Sequence, residues 1–229
     1  MAIGRRGIWR AAGTLLLVGL ATALLLLKED DMQAGPLQLT FEERAVLLRW
    51  ARTALRAHLE NAALPSIDET SLPRALREHA SCFVTLTDGG ALRGCILDSF
   101  QPHESVIRNV ARNVVLAATV DSRFAPVRLD ELDRLTIEIS ILGRPYPIPH
   151  SPPERLVAAL RPEVDGVILT TTFGTSTFLP QVWEQLPSVD VFLSELCRKH
   201  GAPSNCWRTK DLMRAEVYQV NHFSEAGAE

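Results

Sequence analysis

From Cys82 to Ile96 the chain spells a β-hairpin. Cys82-Phe83-Val84-Thr85-Leu86-Thr87 alternates with period two, Asp88-Gly89-Gly90 is turn chemistry, and Ala91-Leu92-Arg93-Gly94-Cys95-Ile96 returns. This segment constrains the fold most, because its register decides which side chains share a face. A three-residue loop, with Gly90 left-handed, sets Leu86 against Leu92, Val84 against Gly94 and Cys82 against Ile96. One face is then apolar, and Thr85 faces Arg93 and Phe83 faces Cys95 on the other. A two-residue loop would set Leu86 against Arg93 and mix the faces, so the first register is expected.

Three consequences follow. Arg93 and Cys95 project from the same face, being two apart on a strand. Gly94 between them leaves a gap that marks close approach by a backbone or a ligand. Cys82 and Cys95 fall on opposite faces, which disfavours a disulfide between them. A guanidinium beside a thiol favours the reactive thiolate. Two readings stay open: Cys95 is a nucleophile or metal ligand with Arg93 holding an anionic substrate, or a small buried hydrophobe beside a surface arginine.

The rest of the chain predicts an α+β fold, with an antiparallel or mixed sheet and flanking helices. Thr40-Phe41-Glu42-Glu43 is a capping box, and Val46, Leu47, Trp50, Ala54, Leu55 and Leu59 recur at helical spacing, giving a helix over 41–60. A helical turn is expected over 73–78. Gln101-Pro102 is read as opening the next helix, with Val106, Val110, Val114 and Ala117 on its inner face. Leu135 to Leu142 is a strand with Leu135, Ile137, Ile139 and Ile141 facing one way. A proline-rich stretch near 143–153 is a candidate junction between two lobes. A short helix follows over 153–160, then a strand over 166–170 and a turn at Phe173-Gly174-Thr175. Ser188 caps a helix that stops at Gly201, and Met213 to Phe223 closes the fold as one last strand.

The first 38 residues read as a membrane anchor and linker. Arg5, Arg6 and Arg10 precede an uncharged run from Ala11 to Leu27, and Lys28-Glu29-Asp30-Asp31 follows. That run spans roughly 26 Å as a helix, close to the thickness of a hydrocarbon core. The charge asymmetry places the N-terminus in the cytoplasm and the domain outside. A cleaved signal with Ala21-Thr22-Ala23 as its site, and a cytoplasmic protein starting at Met32, are the alternatives. The net charge of −3 and the 6% aromatic content give no reason to expect nucleic acid.

Other candidates carry plain alternatives. Glu138, on the polar face of its strand, can meet Arg93 as acid/base or as a structural ion pair. Asp121 and Arg123 can line a cleft or stabilise a turn. Cys197 and His200 lie one helical turn apart, a metal half-site or an answer to the helix dipole. His103 lies near a helix start, where it can pair with Cys95. The four cysteines form no CxxC pair, and P-loop, GxGxxG, HExxH and GxSxG motifs are absent.

LRGCI at 92–96, DSRFAPV at 121–127, IEISIL at 137–142, FLPQVW at 178–183 and LCRKHGAPSNCW at 196–207 occur in this order. Together they resemble the AMMECR-type domain, known as AmmeMemoRadiSam system protein A, over residues 39–225. The resemblance implies two lobes with the LRGCI strand lining a cleft between them. It also implies association with a Memo-like protein and a radical-SAM protein. The family's own activity is not established, and the cofactor, if the domain uses one, is unknown at this point. Arg93, Gly94, Cys95, Asp121, Arg123 and Phe124 carry over as site residues, with Glu138 and Gln181 behind them. Two hypotheses result. One is an enzyme acting on a small polar or anionic substrate; the other is a non-catalytic protein-binding module held at the membrane. Two departures stand out: Leu97 where the family continues with glycine, and Lys199-His200-Gly201 where it has KAG.

Overall fold

The computed structural model describes residues 35–225. The apolar run from Ala11 to Leu27, expected to span a membrane, lies outside them. Among the described residues no helix is long and apolar enough to cross a membrane.

Helix α1 (Phe41–Leu59) begins at the expected capping box: the Glu43 amide donates to Thr40 Oγ1 at 3.2 Å, and the Thr40 amide donates to Glu43 Oε2 at 2.8 Å. These bonds satisfy amides that have no partner inside the helix. A single turn, α2 (Arg74–Arg77), leads to strand β1 (Cys82–Asp88) and its hairpin partner β2 (Ala91–Ile96). Helix α3 (Val106–Thr119) follows, then β3 (Leu135–Leu142). With β8 (Val220–Ser224) these strands form an antiparallel sheet ordered β2-β1-β3-β8. The apolar stripes of α1 and α3 pack on one face of it. Leu47, Leu55, Ile107 and Val110 meet Val84, Leu86, Ile137 and Ile139, all fully buried.

A second antiparallel sheet contains β4 (Tyr146–Pro147), β5 (Gly166–Thr171), β6 (Gly174–Phe178) and β7 (Leu212–Tyr218), ordered β4-β7-β5-β6. Helices α4 (Pro153–Ala159) and α5 (Val189–Lys199) contribute to its separate core. There Trp183 stacks on Phe192 with ring centroids 3.6 Å apart. A small third cluster, Leu142, Ile168 and Tyr218 with Phe83, Phe100 and Leu179 around it, joins residues of both sheets.

The structure corrects three expectations and narrows a fourth. The hairpin turns through two residues, Gly89 and Gly90, at φ +58° and +83°, with Asp88 paired to Ala91. A bulge then makes Arg93 the extra residue, so Leu86 faces Gly94 and Thr85 faces Cys95. Two left-handed glycines suit the twist of a two-residue turn, and the bulge restores the apolar phase that such a turn would have lost. Both sheets are wholly antiparallel, without the mixed pairing that was left open. Helix α3 starts at Val106 with Ser105 as its cap, rather than at Gln101. Asp98, His103 and Glu104 are drawn instead onto Asn109 and Arg112. The expected final strand is two, one in each sheet. The chain crosses between sheets at Gln219, whose carbonyl accepts the Gly143 amide at 2.8 Å.

Candidate functional site

Strand β2 is the outer strand of its sheet, and its unpaired backbone needs partners. Asp121, in the loop after α3, supplies one: its Oδ2 accepts the Cys95 amide at 2.9 Å. The same carboxylate holds Arg123 through the Arg123 amide (3.2 Å), Nε (2.9 Å) and a terminal nitrogen (2.6 Å). Hydrogen bonds from Arg123 and from the Cys95 amide hold the Asp121 carboxyl down at about 2. Asp121 is therefore a permanent anion that fixes both the strand and the arginine.

Gly94 answers to packing. A Cβ there would lie 3.1 Å from the Ala117 carbonyl carbon and collide with its oxygen. The missing side chain lets α3 approach β2, the close backbone approach read from the sequence.

Arg93 is committed elsewhere than expected. Its Nε and one terminal nitrogen grip Glu131 at 2.8 and 3.1 Å, and the other donates to the Ala125 carbonyl at 2.9 Å. Both side chains of the Arg93–Glu131 pair are mostly buried. Glu138, the partner anticipated for Arg93, takes no part in this pair. It faces Thr85 across the sheet, and Thr85 faces Cys95, so Glu138 stands two strands from the thiol, about 10 Å. Phe124 lies between two guanidinium groups, Arg93 at 5.9 Å and Arg123 at 5.5 Å from its ring centre.

Cys95 is half-buried and accepts from Thr85 Oγ1 at 3.3 Å. Burial pushes its thiol up, outweighing the pull of the Thr85 hydroxyl and of the Arg123 and Lys199 charges. The expected thiolate is thus disfavoured at rest, because desolvation is the larger effect. The cations that act on the sulfur are Arg123 and Lys199, with Asp121 opposing them. Lys199, the last residue of α5, donates to the Thr177 carbonyl at 2.8 Å and sits 4.9 Å from the Phe178 ring centre. Partial burial lowers its ammonium pKa. Sequence reading passed over Lys199 as a site residue, although it opens the tripeptide that matches the family's KAG. Tyr218 is fully buried, its hydroxyl 2.9 Å from Thr177 Oγ1.

The remaining candidates lie apart from the thiol. Gln181, on the 3-10 turn Pro180–Glu184, donates to Ser140 Oγ at 3.3 Å. The metal half-site is ruled out in this form: Cys197 is joined to Cys206 in a disulfide, with Cα atoms 6.0 Å apart. His200 instead spans Ser176 Oγ (2.7 Å) and Thr171 Oγ1 (2.8 Å). His103 does not approach Cys95. It joins Asp98 and Glu104 in a cluster whose ligand-type atoms lie within 4.8 Å of one another. The Arg112 guanidinium already occupies that cluster, reaching His103 Nε2 at 2.7 Å, Glu104 at 2.7 Å and Asp98 at 3.1 Å. A cation held there argues against a metal.

The AMMECR1 family model matches residues 48–223, which contain both sheets and the Cys95 strand. The chain belongs to the AMMECR1 family. A protein of Methanothermobacter thermautotrophicus is 33% identical over 197 residues, covering 82% of this chain and 97% of its own length. A protein of Thermococcus gammatolerans is 35% identical over 190 residues, covering 77% of this chain and 89% of its own. Among solved structures, the uncharacterized protein PH0010 from Pyrococcus horikoshii superposes with a TM-score of 0.71 at 30% identity, covering 79% of this chain and 90% of its own. This AMMECR1 domain therefore carries the α+β architecture of its relatives.

Proposed function

We propose that the Cys95 site of this AMMECR1 domain binds a small anionic molecule and that the protein acts on it as an enzyme. One observation carries this reading: the Asp121 carboxylate that accepts the Cys95 amide also holds the Arg123 guanidinium beside this half-buried thiol, and the Lys199 charge acts on the same sulfur. Asp121 is tied to Arg123 and to the Cys95 amide, so it fixes the site and leaves a net positive charge. In partial burial such a charge attracts a carboxylate or phosphate more strongly than it would in water. Cys95 is the group that meets the ligand, while Arg93, Gly94 and Phe124 hold the strand and loop in place. Glu138 and Gln181, farther along the sheet, act at most on the remote part of a longer ligand.

Protection of the thiol tests this. Malonate or inorganic phosphate should slow modification of Cys95 by N-ethylmaleimide in a saturable way, Arg123→Gln or Lys199→Met should weaken the protection, and the two together should abolish it. Cys82 is fully buried and serves as the unreactive reference. Equal modification rates with and without either anion would refute the reading.

Two further proposals rest on sequence pattern and resemblance. Residues 1–38 hold the domain at a membrane with the domain outside, and the domain works with Memo-like and radical-SAM proteins. An exported domain cannot meet a cytosolic radical-SAM partner, so the two exclude each other. A reporter fused to the C-terminus chooses between them by the side of the membrane on which it is active.

A further inference from the structure

A groove opens at the other edge of the sheet that carries Cys95. Cys95 is on β2, whereas His222 is on β8, at the opposite end of the order β2-β1-β3-β8. Beside His222 is a groove of about 600 Å³, lined by Glu163, Val164, Gln181, Glu184 and Val220 among others. That volume is in the range of small-molecule sites.

Its chemistry is the reverse of that at Cys95. Among the described residues the lining includes two carboxylates and neither lysine nor arginine. Glu163 sits in a left-handed conformation at φ +66°. Burial lowers the His222 pKa against the opposing pull of Glu138 and Glu184, so the ring does not cancel the acids near neutral pH. Its Nδ1 lies 3.1 Å from Ser140 Oγ, which in turn accepts from Gln181 Nε2. The other end of the Gln181 amide, Oε1, is buried with no hydrogen-bond partner among the described residues. A buried acceptor without a donor is uncommon and unfavourable. The last torsion of a glutamine is soft, so a donor arriving in the groove can draw this oxygen toward it.

We propose that this groove is a second binding site, specific for a small organic amine. Its ammonium head is held by Glu184 and by Gln181 Oε1, and its alkyl part lies on Val164 and Val220. Acceptors, negative charge and an apolar wall select this class over anions and over neutral alcohols. This groove and the anion site at Cys95 place opposite charges at opposite edges of one sheet.

A matched trio of probes tests the proposal: pentylamine, 1-pentanol and pentanoate, titrated into the full chain. Binding is read from the Gln181 side-chain amide and His222 ring resonances. Pentylamine should give saturable shifts, and the other two should not. Glu184→Gln should weaken pentylamine by about tenfold, the loss expected for one charge-assisted hydrogen bond. Gln181→Leu, read from His222, should weaken it as well. Should Glu184→Gln fail to fold, the exposed Glu163→Gln is read in its place. Pentanol or pentanoate binding as tightly as the amine would overturn the proposal. So would unchanged affinity in the carboxylate variant, or no saturation by pentylamine.

Discussion

The Asp121 carboxylate accepts the backbone amide of Cys95 at 2.9 Å while gripping the guanidinium of Arg123. One side chain thus fixes the strand that carries the thiol and the cation that faces it.

That bond sets a pH dependence of stability. The Asp121 carboxyl is held at about 2 in the fold, against 3.8 for an ordinary aspartate. Its contribution is complete above about pH 4 and is lost as the pH falls toward 2. Asp121→Asn should destabilise the domain by on the order of 1–2 kcal/mol at neutral pH, a modest figure because Arg123 is half exposed. Urea unfolding of both proteins should show this gap closing between pH 4 and pH 2. A gap that stays constant would mean the carboxylate charge is immaterial.

Gly94 has no room for a methyl group. Gly94→Ala should lower stability by about 2–3 kcal/mol, as overpacking against a fixed helix does. It should also raise the reactivity of Cys95, because β2 must move away from Ala117. Denaturant midpoints and alkylation rates read the two effects separately.

Arg93 and Arg123 should part company on mutation. Arg93→Met leaves Glu131 buried without its partner and should cost about 2–4 kcal/mol of stability. Arg123→Gln, at a half-exposed side chain, should cost no more than about 1 kcal/mol of stability and should weaken anion protection of Cys95. The reverse pattern in unfolding and protection assays would return Arg93 to the ligand.

Much of this was legible in the sequence, and the failures have physical causes. The capping box at Thr40, the alternation from Leu135 to Leu142 and the glycine gap at 94 are local signals, and each appears where it was read. The hairpin register was missed because a bulge restores apolar alternation just as a longer loop would, and the pattern alone cannot separate them. The division of the last strand depends on Gly143 bonding Gln219, a contact across 76 residues that leaves no local trace. At the proposed site, the sequence paired Cys95 with Arg93, whereas the structure commits Arg93 to Glu131. Strand spacing brought Arg93 close, whereas Glu131, Arg123 and Lys199 enter through a loop and a helix end far along the chain.

The account stands on Arg123 and Lys199 making Cys95 a thiol that favours anionic partners. The most direct measurement is the ratio of its alkylation rates with iodoacetate and iodoacetamide, reagents alike except for charge. A positive site should favour iodoacetate by about tenfold at low salt, with the preference falling as salt is added and vanishing in Arg123→Gln with Lys199→Met. If iodoacetamide reacts as fast or faster in the unaltered protein, and the ratio ignores both salt and mutation, the cations do not govern this thiol.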